Sequence, residues 1–205
     1  MLMQDKIQKA ALMSCFFFVL LLLGTFQLYS CENDRSQSSP VTVKPLIDSS
    51  EMENEYIFIA PDSSFSVSFP DRPTLEIMKD HTELGTLTLT QYQYLKEDTL
   101  AWILSYCDYP EALIKLGNIE KLLEGICQSI KKSHNAKLLN LDLINDASIR
   151  FQLFSKKAGL YMLYKVLILK NRLYKLAIYN TGNTSNHVVA DPFFESFRIL
   201  NPGSD

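Results

Sequence analysis

The stretch Asp80-His81-Thr82-Glu83 places two carboxylates and an imidazole within four residues, and these are donor types that hold zinc when they converge. It falls between two alternating apolar and polar runs, where a polar turn is expected, so no metal is assigned to it. The other histidines, His134 and His187, stand far from it and from each other. No serine occupies a nucleophile-elbow motif, and the chain has neither a Gly-rich phosphate loop nor an HExxH pair. With seven glycines in 205 residues, backbone able to cradle a phosphate is scarce. The sequence therefore assigns no catalytic residue, no metal and no cofactor.

Cys107 ends an apolar run and Cys127 lies on the apolar stripe of a helical segment. In an exported chain the pair could be oxidised to a disulfide. The reading favoured here is two small buried hydrophobes, because helix-on-sheet packing seldom brings two Cα atoms within bonding reach. Asp108 and Tyr109, between strand and helix, could line a cleft; an acid beside a proline at such a junction ordinarily organises the turn.

Charge is unevenly placed. No acidic residue occurs from Ala147 to Ala190, a stretch containing Arg150, Lys156, Lys157, Lys165, Lys170, Arg172 and Lys175, whereas acids dominate from Glu51 to Glu120. Lys170, Arg172, Lys156 and Lys157 are the candidate contacts for an anionic surface, and strand geometry splits them into two small clusters at opposite ends of the strand between them. The competing reading is a solvated sheet edge on which lysines deter aggregation. The formal charge is −3, and removing residues 1–30, with two lysines and one aspartate, makes it −4. That balance argues against nucleic acid as a partner.

The elements that would position these groups follow from period. Phe65, Val67 and Phe69 alternate with serines, and Leu87 and Leu89 with threonines, as in strands covered on one face. "AWILSY" at 101–106 is apolar on both faces and belongs in the middle of a sheet. Ile119, Leu122, Leu123, Ile126, Cys127 and Ile130 recur at helical spacing behind Asn118, a candidate N-cap. Strands are expected at about 136–142, 147–154, 160–169 and 172–179, the last two joined by Lys170-Asn171, with Asn171 as the residue suited to left-handed geometry. Asp191-Pro192 is expected to cap and open a short final helix. The fold class expected is α+β, a mostly antiparallel sheet with helices packed on it.

"FSVSFPDRP" (65–73), "SYCDYP" (105–110), "NRLYKL" (171–176) and "FFESF" (193–197) resemble, in order and spacing, motifs of a family of exported bacterial proteins with a Mog1/PsbP-like fold. The resemblance implies an α/β/α sandwich that works through its surface, in some relatives as an accessory subunit of a membrane complex. It carries over no catalytic residue. Lys170 stands where the pattern has glycine.

The first thirty residues supply an address. Lys6 and Lys9 precede a run from Ala10 to Leu23 that is nearly all apolar, the plan of a secretory signal. Leu28-Tyr29-Ser30-Cys31 then resembles the lipobox of bacterial lipoproteins, in which a lipid joins the cysteine and cleavage falls just before it. Two alternatives remain open. Ala10 to Tyr29, as a helix of roughly 30 Å, would just span a bilayer, or the segment is cleaved and the protein released. Residues 31–55 are rich in serine and acid, carry two prolines and read as a flexible tether with a reach of roughly 25 to 30 Å. Residues 56–200 read as one domain and 201–205 as a tail. The expectation is an exported, membrane-anchored, non-catalytic interaction or accessory module of the cell envelope with an unidentified protein partner. A small-molecule or lipid carrier is the alternative. If Cys31 is lipidated, intact mass of membrane-extracted protein will show loss of residues 1–30 and an added lipid, and Cys31→Ser will block both; an unmodified full-length mass identifies an uncleaved anchor instead.

Overall fold

The computed structural model describes residues 55–82, 85–182 and 187–200. Ten strands are described: β1 (Tyr56–Ile59), β2 (Phe65–Phe69), β3 (Thr74–Thr82), β4 (Gly85–Lys96), β5 (Leu100–Asp108), β6 (Lys137–Asn145), β7 (Ser148–Ser155), β8 (Leu160–Leu169), β9 (Arg172–Asn180) and β10 (Arg198–Ile199). Three helices accompany them: α1 (Glu111–Leu116), α2 (Ile119–Ser133) and α3 (His187–Ser196). The strands form a seven-stranded sheet in the order β3-β4-β5-β9-β8-β7-β6 and a three-stranded sheet in the order β1-β2-β10. Every strand pairing in both sheets is antiparallel.

The large sheet is buried on both sides at its centre. Ala101, Ile103 and Cys107 of β5 and Leu173, Ala177 and Tyr179 of β9 face one way, into a core completed by Leu123, Ile126, Cys127 and Ile130 of α2. Trp102 and Leu104 of β5 and Tyr174, Leu176 and Ile178 of β9 face the other way, against Phe65, Val67 and Phe69 of β2 and Phe193 and Phe194 of α3. The second core is strongly aromatic: Phe65 lies with its ring centroid 5.7 Å from those of Tyr106, Tyr174 and Phe197.

The expected α/β/α sandwich is therefore corrected to a β-rich fold of two antiparallel sheets. The alternation in "FSVSF" does mark a strand covered on one face, but β2 leaves the large sheet and lies across it, pairing with β1 on one side and β10 on the other. Its three apolar side chains cover the face that a helix layer was expected to fill. The final helix is corrected too. It begins at His187, with Pro192 inside it, so Asp191 does not cap its start. At the β8–β9 turn the left-handed residue is Lys170 (φ 55), not Asn171.

α2 forms where its stripe and caps agree. The Asn118 side chain accepts a hydrogen bond from the backbone of Lys121 at 3.0 Å, Lys131 and Lys132 occupy the last turn, and Asn135 (φ 47) reverses the chain. His134 caps the end. Its N–H donates to the Ile130 carbonyl (3.1 Å), its own carbonyl accepts from Ser155 Oγ (2.9 Å), and its ring meets Tyr179 edge-on at 5.8 Å.

Burial, with the charge of Lys175 beside it, pushes the His134 pKa down to about 4, and Nε2 has no hydrogen-bond partner among the described residues. Because the folded state disfavours the proton, the associated stability is fully present above the ordinary histidine value of about 6.5 and is lost as pH falls toward 4. The loss should reach up to about 3 kcal/mol, on the linkage of proton uptake to unfolding. Denaturant melts of the wild type and His134→Asn from pH 7 to 4 will show it: the wild type should lose more stability, and parallel curves would remove His134 as the cause.

Candidate interaction surface

Asp108 ends β5 and Arg172 begins β9, and the register sets them opposite each other. The guanidinium grips that carboxylate with two hydrogen bonds, Nε to Oδ1 at 2.5 Å and Nη2 to Oδ2 at 2.9 Å. Its Nη1 reaches Asp62 Oδ2 at 2.7 Å and Ser64 Oγ at 3.0 Å in the β1–β2 loop, and the group lies 4.7 Å over the Tyr106 ring. One cation thus joins both sheets. Burial alone would raise the Asp62 pKa, but the hydrogen bonds from Arg172 and Ser64 outweigh it and hold the carboxyl at about 2. The fork to Asp108 leads in raising Arg172 above its already high value.

The other basic residues of the acid-free stretch divide in two. Arg150 pairs with Asp191 at 2.9 Å and lies over the Phe194 ring, pinning α3 to the sheet. Lys165 donates to the Phe194 carbonyl at 2.9 Å, and its pKa is lowered by burial and by the nearby Arg150 and Arg198 charges. Lys175 lies on the α2 side of β9, where its cross-strand partner Ser105 and the next residue along, Gln91, form a polar row across the sheet. Lys156, Lys157 and Lys170 remain exposed. The first two lie in the β7–β8 turn and Lys170 in the β8–β9 turn, at opposite ends of β8.

Lys156 and Lys157 have company that the sequence reading missed. Ser155, just before them, bonds the end of α2 through the His134 carbonyl, and the backbone of Ala136 donates to Lys131 O at 3.0 Å. Lys137 opens β6 opposite Phe154. Lys131 and Lys132 of α2, Lys137 of β6 and the turn pair therefore gather at one end of the large sheet. Neither 131–141 nor 147–159 contains an acidic residue. The signal was visible as "KKSHNAK", but only tertiary structure sets it beside "SKK".

Running away from this lysine end is β6, which among the described residues is an edge strand paired on one side only, with β7. Leu139, Leu141, Leu143 and Ile144 are 45, 41, 54 and 47% exposed. A leucine-rich strand would be expected to hide one face, yet nearly all of β6 faces solvent.

The other residues singled out by sequence take structural or undescribed places. Cys107 and Cys127 are buried thiols not joined in a disulfide, and burial pushes the Cys127 thiol up to about 12, so it is a poor nucleophile. Tyr109 is buried, its backbone bonded to Asn171 in both directions, and Asp108 belongs to the Arg172 fork. Asp80 and His81 are strand positions in β3 whose side chains are not described, and Glu83 and Cys31 lie outside the described residues. Among the described residues no three or more His, Cys, Asp and Glu side chains gather into a metal-sized group, and no helix is long and apolar enough to cross a membrane. In comparisons with known proteins, the chain matches no family model and no curated protein.

Arg172→Lys tests the fork. A lysine keeps the charge but cannot span Asp108, Asp62 and Ser64 from one planar group, so the variant should lose about 2 kcal/mol in a denaturant melt, allowing for the partial exposure of both acids. An unchanged midpoint would mean that charge alone suffices.

Proposed function

We propose that the chain is an exported protein held to a membrane by its N-terminus, whose β-rich domain acts by surface contact rather than by catalysis, resting its lysine end on an anionic lipid surface. The observation that carries the reading is the fate of the basic residues. Arg150, Arg172 and Lys165 are engaged by acids or a carbonyl within the fold, while five lysines from α2, β6 and the β7–β8 turn gather at the β6–β7 corner of one sheet end, with β9 between them and the acidic β4–β5 turn (Glu97, Asp98) of that same end. Each basic group near an anionic leaflet contributes about 1 kcal/mol. Five together suffice for a tethered domain that needs only weak, reversible contact.

The interior supports the same reading over that of a carrier. Phe65, Phe69, Phe194 and Leu104 on one side of the sheet, and Phe151, Leu153 and Met162 on the other, are fully buried large side chains. A carrier needs room in one of those places.

Residues 56–200, expressed without the N-terminal segment that would itself enter any bilayer, should co-sediment with vesicles containing anionic phospholipid at low salt and less so at physiological salt, because exposed charges are screened over about 8 Å there. Lys156→Glu with Lys157→Glu should weaken binding roughly tenfold or more, on about 1 kcal/mol per charge lost and a like repulsive contribution gained. Lys170→Glu, at the other end of β8, should change little. Binding that is equal to neutral and anionic vesicles, or indifferent to the double substitution, would refute the lysine end as the contact.

A further inference from the structure

We infer that β6 is a self-pairing strand, on which a second copy of this chain adds its own β6 antiparallel to continue the seven-stranded sheet across a two-fold axis. This inference goes beyond the proposed membrane contact and stands independently of it. β6 is nine residues long, lies at a sheet edge, and has one side of its backbone unpaired among the described residues. Such an edge is a template for another strand unless charge, proline or covering structure blunts it. The opposite edge is blunted in that way: β3 carries Glu76 and Lys79. In β6 the eight residues from Leu138 to Asn145 carry one charge, Asp142, and no proline.

The occupant is indicated by the strand's own sequence. Leu141 and Leu143 stand opposite Phe151 and Ile149 of β7, so they project on the α2 side, while Asn140 and Asp142, opposite Gln152 and Arg150, project on the other. A two-fold axis through Leu141 and normal to the sheet keeps these faces matched between copies. It sets Leu141 against Leu141 and Leu139 against Leu143. Asn140 then meets Asp142, a pairing of amide and carboxylate already made within one strand at 2.7 Å. Charge matches as well. Lys137 comes opposite Asn145, beside Asp146, so the lysine end of each copy faces the acidic end of the other. Register irregularities between Leu138 and Asn140 and between Leu143 and Asn145 leave Asn140–Leu143 as the regular segment, so strict strand pairing is confined to Asn140, Leu141 and Asp142 about the axis, and Leu139 and the Lys137 and Asp146 ends meet beyond it by proximity and charge rather than by register. The contact is isologous and closes at two copies.

The test uses the protein in isolated membranes, with the unsubstituted chain, carrying whatever native cysteines it keeps, setting the background of disulfide formation. Leu141→Cys places two thiols across the axis at the spacing of a directly opposed pair. Mild oxidation should give a disulfide-linked dimer several-fold above background, whereas Ile77→Cys on the β3 edge should stay at background. Leu141→Glu, at an exposed position and so compatible with folding, should convert protein extracted in mild detergent from twice the monomer mass to the monomer mass. The inference is overturned by background-level crosslinking of Leu141→Cys, by equal crosslinking of Ile77→Cys, by capture of a different protein through the thiol introduced in β6, or by a wild-type protein that is already monomeric. Vesicle binding reports separately on the lysine end, so either result can fail without the other.

Discussion

β5 and β9 are apolar on both faces, and that places a demand on the whole chain. Apart from the row of Ser105 and Lys175, their central residues alternate between two cores, as Trp102 and Ile103, or Leu176 and Ala177, show by falling in opposite clusters. A sheet of this kind is stable only when both faces are covered. One face is met by α2, whose stripe from Ile119 to Ile130 is a single coherent surface. Among the described residues the other has only α3 in helix form, ten residues with a proline inside. The shortfall is met by strands from the two ends of the domain: β1 and β2 arrive before the large sheet begins, and β10 closes after it ends. The second sheet is thus a consequence of the first having too few helices.

Covering one sheet with another creates a seam, and the seam explains where the cations go. A loop such as that between β1 and β2 must be fixed against the end of the large sheet, where backbone pairing cannot reach. Arg172 does this from the first position of β9, with Asp108 held by cross-strand register and Asp62 presented by its own turn with Ser64. Arg150 does the equivalent for α3 through Asp191. Arginine suits both places because its planar fork meets carboxylates at several points and its flat face rests on an aromatic ring, here Tyr106 and Phe194. The acid-free stretch is therefore less of a charged surface than its composition suggests.

Periodicity and capping made much of this legible in advance. The two-sided character of 101–106, the Asn118 cap, the stripe of α2 and the strands of the second half all rest on local chemistry, and all are found. The second sheet was not legible, because "FSVSF" has the same alternation whether it joins the large sheet or crosses it. Nor was the start of α3, since Asp191-Pro192 has the form of a cap while Asp191 is held by a residue 41 positions away. For the candidate surface the limit was the same. Lys156 and Lys157 could be named from sequence, but Lys131, Lys132 and Lys137 join them only because Ser155 bonds the carbonyl that ends α2.

The apolar residues left outside have a common origin in this arrangement. α2 packs over β7 and β8, and β1 and β2 lie over the middle of the other face, so the margins of an open seven-stranded sheet extend beyond what covers them. Leu75 and Ile77 of β3 are exposed at one margin, and Leu139, Leu141, Leu143 and Ile144 of β6 at the other. The margins differ in what accompanies the apolar groups. β3 alternates them with charge, the pattern of an edge protected from association. β6 instead begins in a lysine cluster, ends beside Asp146 and carries leucines between. An edge with opposite charges at its two ends and apolar residues between them is complementary to its own reverse, and a plain solvated edge has no need of that arrangement.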